Sequence, residues 1–180
     1  MVDPDTGDFV RAGTFLPDIA VDRSSGALYI VWADGRFTGG ASTDVVLSRS
    51  TDGGLTWTEP IKVSGTPAGV SSFTPSVHVA ANGTVAVTYY DIRSNTADPA
   101  TLPTDYWIRY STNGGVTWGG EQRITPTSFD MRTAPDAGGF FTGDYMGLDS
   151  RGNIFVPFFV QANSGNLANR TDAFSTTATP

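Results

Sequence analysis

Two Asp-x-Arg pairs stand at the same point of two similar segments of the sequence. The segments GALYIVWADGR and GTVAVTYYDIR each end in such a pair, Asp34 with Arg36 and Asp91 with Arg93. A carboxylate beside a guanidinium can brace a loop, or the arginine can bind an anionic group of a ligand through two parallel hydrogen bonds. Both interpretations stay open, with Asp34 and Asp91 as candidate catalytic carboxylates and Arg36 and Arg93 as candidate substrate-binding residues.

More candidates lie in the longest stretch between apolar runs, residues 126–142, and just after it. Arg132 is a third candidate substrate-binding residue, and the sequence FFTGDYM adds Asp144 and Tyr145. Aromatic rings beside acidic and basic groups suit a sugar-binding surface, although the same rings could belong to the core. We count Asp144, Tyr145 and the earlier Tyr90 among the candidate catalytic residues.

Metal binding is a separate hypothesis. Asp18 and Asp144 align at the predicted start of two similar strands, and His78, the single histidine, lies in the corresponding strand between them. Carboxylates gathered at one end of a central tunnel between the strands could bind Ca²⁺ or another divalent ion. The alternative is that Asp18 and Asp144 accept hydrogen bonds from nearby backbone N–H groups and that His78 is an ordinary half-buried histidine.

An eight-residue motif recurs in the chain, first as STDGGLTW and later as STNGGVTW. In a hairpin turn the Asp or Asn side chain can accept hydrogen bonds from backbone N–H groups, and glycine supplies the positive φ angle. The motif therefore indicates a folding device rather than a catalytic centre. Its shared positions are Ser50, Asp52, Gly54, Thr56 and Trp57 in the first copy and Ser111, Asn113, Gly115, Thr117 and Trp118 in the second.

The segments around these motifs predict an all-β fold. Each unit contains four short stretches rich in Val, Ile, Tyr and Phe, separated by Gly, Asn and Pro, and no stretch of ten residues has helical apolar spacing. Four-stranded units that repeat along a chain are typical of a β-propeller, in which each unit is one blade. The predicted elements are a strand at 8–15, blade one at 15–64, blade two at 73–125, and blade three at 140–178, which lacks its own fourth strand.

Composition narrows the classes of partner. The formal net charge is −7, so neither nucleic acid nor an anionic membrane surface is an expected partner. There is no cysteine, which excludes disulfides, thiolate metal sites and a cysteine nucleophile. No signal peptide is predicted at the N-terminus, where the sequence reads MVDP.

The motif Ser-x-Asp-x-Gly-x-Thr-Trp resembles the Asp-box of the bacterial neuraminidase (BNR) repeat, and most of the chain resembles sialidase-like glycoside hydrolases built on it. The resemblance implies a six-bladed propeller, a carbohydrate substrate, a tyrosine nucleophile paired with an acid, no required cofactor, and a secreted or periplasmic bacterial location. The chain departs from that family because the Arg-Ile-Pro motif, which carries one carboxylate-binding arginine, is absent.

Three blades leave two apolar blade faces open, which soluble proteins normally cover. We expect either a homodimer of two half-rings, with the strand at 8–15 completing blade three of the partner, or a fragment of a longer propeller. Three functions stay open. They are a sialidase-like glycosidase, a metal-dependent hydrolase of esters, lactones or phosphotriesters, and a non-catalytic glycan-binding or scaffold module.

Overall fold

The computed structural model describes residues 1–13 and 16–180. Within those ranges the chain contains β-strands and one 3-10 helix, and none of its helices could cross a membrane. The strands form three separate antiparallel sheets that follow one another along the chain. The all-β prediction is confirmed.

Sheet one has its strands in chain order, and its second strand alternates between half-buried and buried positions. This period of two places Tyr29 and Val31 on one side and Ile30 and Trp32 on the other. The strands are β1 (Asp18–Val21), β2 (Leu28–Asp34), β3 (Asp44–Ser50) and β4 (Ile61–Lys62).

Sheet two lies between the other two sheets, and every residue of its second strand is buried. A strand buried on both sides must be covered by a sheet on each side, which explains the unbroken apolar run. The strands are β5 (Ser72–Val79), β6 (Val85–Asp91), β7 (Pro103–Ser111) and β8 (Glu121–Arg123), with β9 (Phe129–Asp130) paired to the start of β7 and followed by the 3-10 helix Met131–Thr133.

Sheet three has three strands within the described residues, and its last strand is an edge. Asp144 precedes the first strand by three residues, so it lies in the connecting loop and not at the strand start that its alignment with Asp18 predicts. The strands are β10 (Gly147–Arg151), β11 (Ile154–Ala162) and β12 (Thr171–Ser175), and a further antiparallel bridge joins Phe155 to Ala178.

The first strands of the three sheets lie side by side, with β5 between β1 and β10. The Val77 N–H donates to Asp18 Oδ2 at 2.9 Å, and Ser76 Oγ donates to the carbonyl of Met146 at 2.5 Å. These bonds tie β5 to both neighbouring sheets.

The N-terminal segment packs on its own chain. The predicted strand at 8–15 is represented by two isolated bridges, Val2 with Phe9 and Val10 with Phe140, and Val10 is fully buried. Thr14 and Phe15, at the end of the predicted strand, lie outside the described residues.

Both eight-residue motifs form turns held by hydrogen bonds between equivalent side chains. Thr56 N–H donates to Asp52 Oδ1 and Thr117 N–H donates to Asn113 Oδ1, each at 2.9 Å. The Thr56 hydroxyl donates to Asp52 Oδ2 at 2.5 Å, whereas Asn113 Nδ2 donates to the Thr117 hydroxyl at 2.7 Å. Trp57 Nε1 donates to the carbonyl of its own turn, at Gly54. The hydroxyl therefore changes between donor and acceptor, and the turn keeps its geometry with either residue.

We predict that Asp52→Ala lowers the melting temperature by a few degrees, while Asp52→Asn changes it little, because asparagine already serves at the matching position 113. The Thr56 hydrogen bonds hold the pKa of Asp52 at about 2, below its usual 3.8. Its contribution is therefore complete above about pH 4 and is lost as the pH falls towards about 2. Thermal melts from pH 2 to 7 should show less acid destabilisation in Asp52→Asn than in the wild type. Equal acid sensitivity would contradict this.

Candidate functional site

The Asp91 carboxylate is fully buried at the end of β6. Its Oδ1 accepts a hydrogen bond from Trp107 Nε1 at 3.0 Å, and its Oδ2 accepts from Thr66 Oγ1 at 2.9 Å and from Arg93 Nε at 2.5 Å. A buried carboxylate is tolerated only when it is paired and hydrogen bonded in this way. Asp91 therefore has its charge compensated inside the protein.

Arg93, the partner of Asp91, is largely enclosed, with 18% of its side chain exposed. Its guanidinium lies 3.9 Å from the ring centroid of Trp107 and donates to both oxygens of Glu121, at 2.6 and 3.0 Å. Glu121 also accepts from the Gly65 N–H at 2.8 Å, and a Cβ at Gly65 would lie 2.5 Å from that carboxylate. Burial raises the pKa of Glu121, an effect that the Gly65 N–H opposes. The geometry favours a structural brace over a ligand contact.

The pair in sheet one is more open. Asp34 Oδ2 accepts from Trp32 Nε1 at 2.7 Å and from Arg36 Nε at 2.8 Å, and the Arg36 side chain is 44% exposed. Burial opposes ionisation of Asp34, but hydrogen bonds from Arg36 and Trp32 still lower its pKa. Arg36 therefore remains available to a ligand at the edge of the molecule.

Two other predicted residues are engaged internally. Tyr90 is fully buried, donates to the carbonyl of Val160 at 2.6 Å and accepts from the Val160 N–H at 2.9 Å, and burial raises its pKa well above the usual value. Arg132 pairs with Asp3 at 2.5 Å and with Asp5 at 3.1 Å. Neither side chain is free to meet a substrate in this structure, so both hold the fold together.

The three predicted metal ligands have separate partners. Asp18 accepts from backbone N–H groups, Asp144 pairs with Arg11, and His78 Nε2 lies 3.0 Å from Ser150 Oγ. Burial lowers the pKa of His78, against the nearby charge of Asp149. Across residues 1–13 and 16–180, no three His, Cys, Asp or Glu side chains are arranged as a metal site. Metal binding therefore stays a prediction without a ligand cluster to support it.

Asp144 and Tyr145 do come together, in a cavity of about 350 Å³ that we call the rim site. Arg11 Nη2 donates to Asp144 Oδ2 at 3.0 Å, and the guanidinium lies 4.4 Å from the ring centroid of Phe141. The Tyr145 side chain is 72% exposed. The cavity opens where the chain enters β1 and β10, and its other lining residues are Phe9, Ala12, Gly13 and Leu16.

Arg11 is the member of the rim site that sequence reasoning missed. It lies 133 residues before Asp144, outside every repeated segment, so no alignment of the repeats could point to it. The N-terminal segment carries it to the site because the Arg11 N–H donates to the carbonyl of Phe140 at 3.0 Å.

Comparisons with known proteins find a likeness in structure only. No protein-family model and no curated protein matches the chain. The Hadza microbial sialidase Hz136 is 18% identical, with a TM-score of 0.58 over 90% of this chain and 34% of its own. The α-L-arabinofuranosidase Arb93A of Fusarium graminearum is 17% identical, with a TM-score of 0.63 over 91% of this chain and 44% of its own. The α-L-arabinanase of Penicillium chrysogenum is 19% identical, with a TM-score of 0.58 over 89% of this chain and 44% of its own.

These likenesses establish the fold. The chain has the architecture of the β-propellers found in these glycosidases, and it spans between about a third and a half of their lengths.

The two Asp–Arg pairs provide a matched test of the brace. Arg93→Ala leaves the buried Asp91 unpaired and should lower the free energy of unfolding by about 3–5 kcal/mol. Arg36→Ala, at the same position of sheet one, removes an exposed ion pair and should cost about 1 kcal/mol or less. Urea denaturation followed by tryptophan fluorescence measures both. Equal losses would show that Arg93 is not a brace.

Proposed function

We propose that this chain forms part of a glycan-acting glycoside hydrolase and that the substrate binds at the rim site. The observation that carries the proposal is the exposed Tyr145 next to an ion-paired Asp144, in a cavity at the entry to two first strands. The likeness in fold to a sialidase and to two arabinose-releasing or arabinan-degrading enzymes supports the substrate class, and the eight-residue motifs support the sialidase-like reading within it.

In this mechanism Tyr145 attacks the anomeric carbon of a terminal sugar, and Asp144 accepts the phenolic proton. A neutral tyrosine is a weak nucleophile, so a neighbouring base has to remove that proton as the bond to carbon forms. The departing aglycone oxygen takes a proton from water or from a second acid. The hydroxide that remains, or a water that gives its proton back to that acid, then displaces the tyrosine from the sugar, and Asp144 returns the proton to Tyr145.

Arg11 has two roles in the proposal. In the free protein its guanidinium neutralises Asp144, and in the complex it is the cation nearest to the bound sugar. An anionic sugar such as a sialic acid would present a carboxylate, which a guanidinium binds through two hydrogen bonds. A cavity of about 350 Å³ lies at the small end of ligand pockets, which fits one terminal sugar better than an internal segment of a polymer.

Tyr145→Phe and Asp144→Asn should each reduce kcat/KM on 4-methylumbelliferyl sialoside or arabinofuranoside by about 10²-fold or more, because the first removes the nucleophile and the second removes the base that accepts its proton. Tyr110→Phe serves as the control, since Tyr110 is a largely buried residue of β7 that is absent from the rim site. Fluorescence release measures activity, and calorimetry measures sugar binding.

Other outcomes assign other functions. Sugar binding without release, abolished by Arg11→Ala, would replace the hydrolase with a glycan-binding module. Hydrolysis of an aryl ester or phosphotriester that EDTA abolishes and Ca²⁺ restores would favour the metal-dependent hydrolase. Full activity in Tyr145→Phe would remove the rim site from the mechanism.

A further inference from the structure

The two contacts between sheets inside the chain are built in the same way. At the first contact, the Tyr29 and Val31 side of β2 packs on the Val87 and Tyr89 side of β6. At the second, the opposite side of β6, which carries Tyr90, packs on sheet three. Each sheet therefore has one flank for the sheet before it and a different flank for the sheet after it.

In sheet two the Val87 and Tyr89 side faces the preceding sheet. The equivalent side of sheet one is open, and we call it flank A. Ile30 and Trp32 occupy the positions on β2 that Val87 and Tyr89 occupy on β6. They line a concave surface of about 790 Å³ together with Trp57, which is 40% exposed. This is more than twice the volume of the rim site, and apolar groups dominate its lining.

In sheet two the Tyr90 side faces the following sheet. The equivalent side of sheet three is open, and we call it flank B. On β11, Phe155 and Phe159 are buried against sheet two, so the alternate residues face away from it. Phe158 is 50% exposed, and Ile154, on the same side of β11, is 36% exposed. Large apolar side chains clustered on an open sheet face usually mark an interface.

We propose that flank A of one copy of this chain receives flank B of a second copy, while flank B of the first receives flank A of the second. In this head-to-tail contact, a side that faces a following sheet packs on a side that faces a preceding sheet. Sheets one and two pack in this way within the chain, and so do sheets two and three. Two such contacts related by a two-fold axis close the assembly, so no apolar flank remains exposed.

Exchange of the N-terminal segment is not required for this dimer. Val10 is fully buried in its own chain, where its segment bridges to Phe140. The proposal therefore rests on flanks A and B alone, and it does not depend on any enzymatic activity.

Size-exclusion chromatography with light scattering measures the mass of the assembly in solution and tests the dimer directly. The 19.0 kDa chain should elute at twice that mass at micromolar concentration. A monomer over the whole concentration range, or open assemblies that grow with concentration, would each overturn the proposal.

Single substitutions separate the two flanks. Ile30→Asp on flank A and Phe158→Asp on flank B should each raise the dimer dissociation constant at least about 100-fold, because each places a charge in an apolar contact. Leu55→Asp is the matched control, since Leu55 is 85% exposed on the turn of the first motif and should leave the dimer intact.

Mixing the two variants gives the sharpest test. In a mixed dimer one contact joins two unmodified flanks, while the other carries both substitutions. Dimers should therefore reappear when Ile30→Asp and Phe158→Asp are combined in equal amounts, although neither variant dimerises alone. Failure of the mixture to dimerise, with both variants folded by circular dichroism, would overturn the head-to-tail arrangement.

Discussion

Packing of one sheet flank on the next is the interaction on which this structure depends. β6 is buried along its whole length because sheets one and three cover its two sides. Tyr90 and Tyr106 are fully buried at the second contact, and burial of one large apolar side chain contributes about 1.5–3 kcal/mol. The sheets are stacked side by side, so the loops at the strand ends are the parts left free to carry chemistry.

Several carboxylates at or near strand ends lie inside the protein, and each has a cation beside it. Asp3, Asp44, Asp91 and Asp105 are at most 2% exposed, and their partners are Arg132, Lys62, Arg93 and Arg123. Two of these pairs join neighbouring strands, β3 to β4 and β7 to β8, and so hold the strand ends from which the loops leave. The Arg11–Asp144 pair differs because both partners are partly exposed in a cavity.

Sequence reasoning predicted the all-β class because the repeated segments are short stretches rich in Val, Ile, Tyr and Phe, separated by Gly, Asn and Pro. It could not rank the candidate residues, since accessibility depends on which side of a strand the next sheet covers. Tyr90 and Tyr145 look alike in sequence, yet one is buried between sheets and the other is exposed in a loop. The Arg11–Asp144 and Arg93–Glu121 contacts join distant parts of the chain, and no local pattern encodes them.

The aspartate of each Asp–Arg pair also accepts a hydrogen bond from a tryptophan, and that tryptophan lies at a different position in the two sheets. Trp32 lies opposite Val46 across β2 and β3, and Tyr89 lies opposite Trp107 across β6 and β7. In sheet one the indole that donates to the aspartate is that of Trp32, on β2. In sheet two it is that of Trp107, on β7. Either position places an indole N–H within 3.0 Å of the carboxylate. The indole–aspartate hydrogen bond is therefore present in both sheets, although the tryptophan lies on a different strand in each. Its presence in both favours a brace over a ligand site.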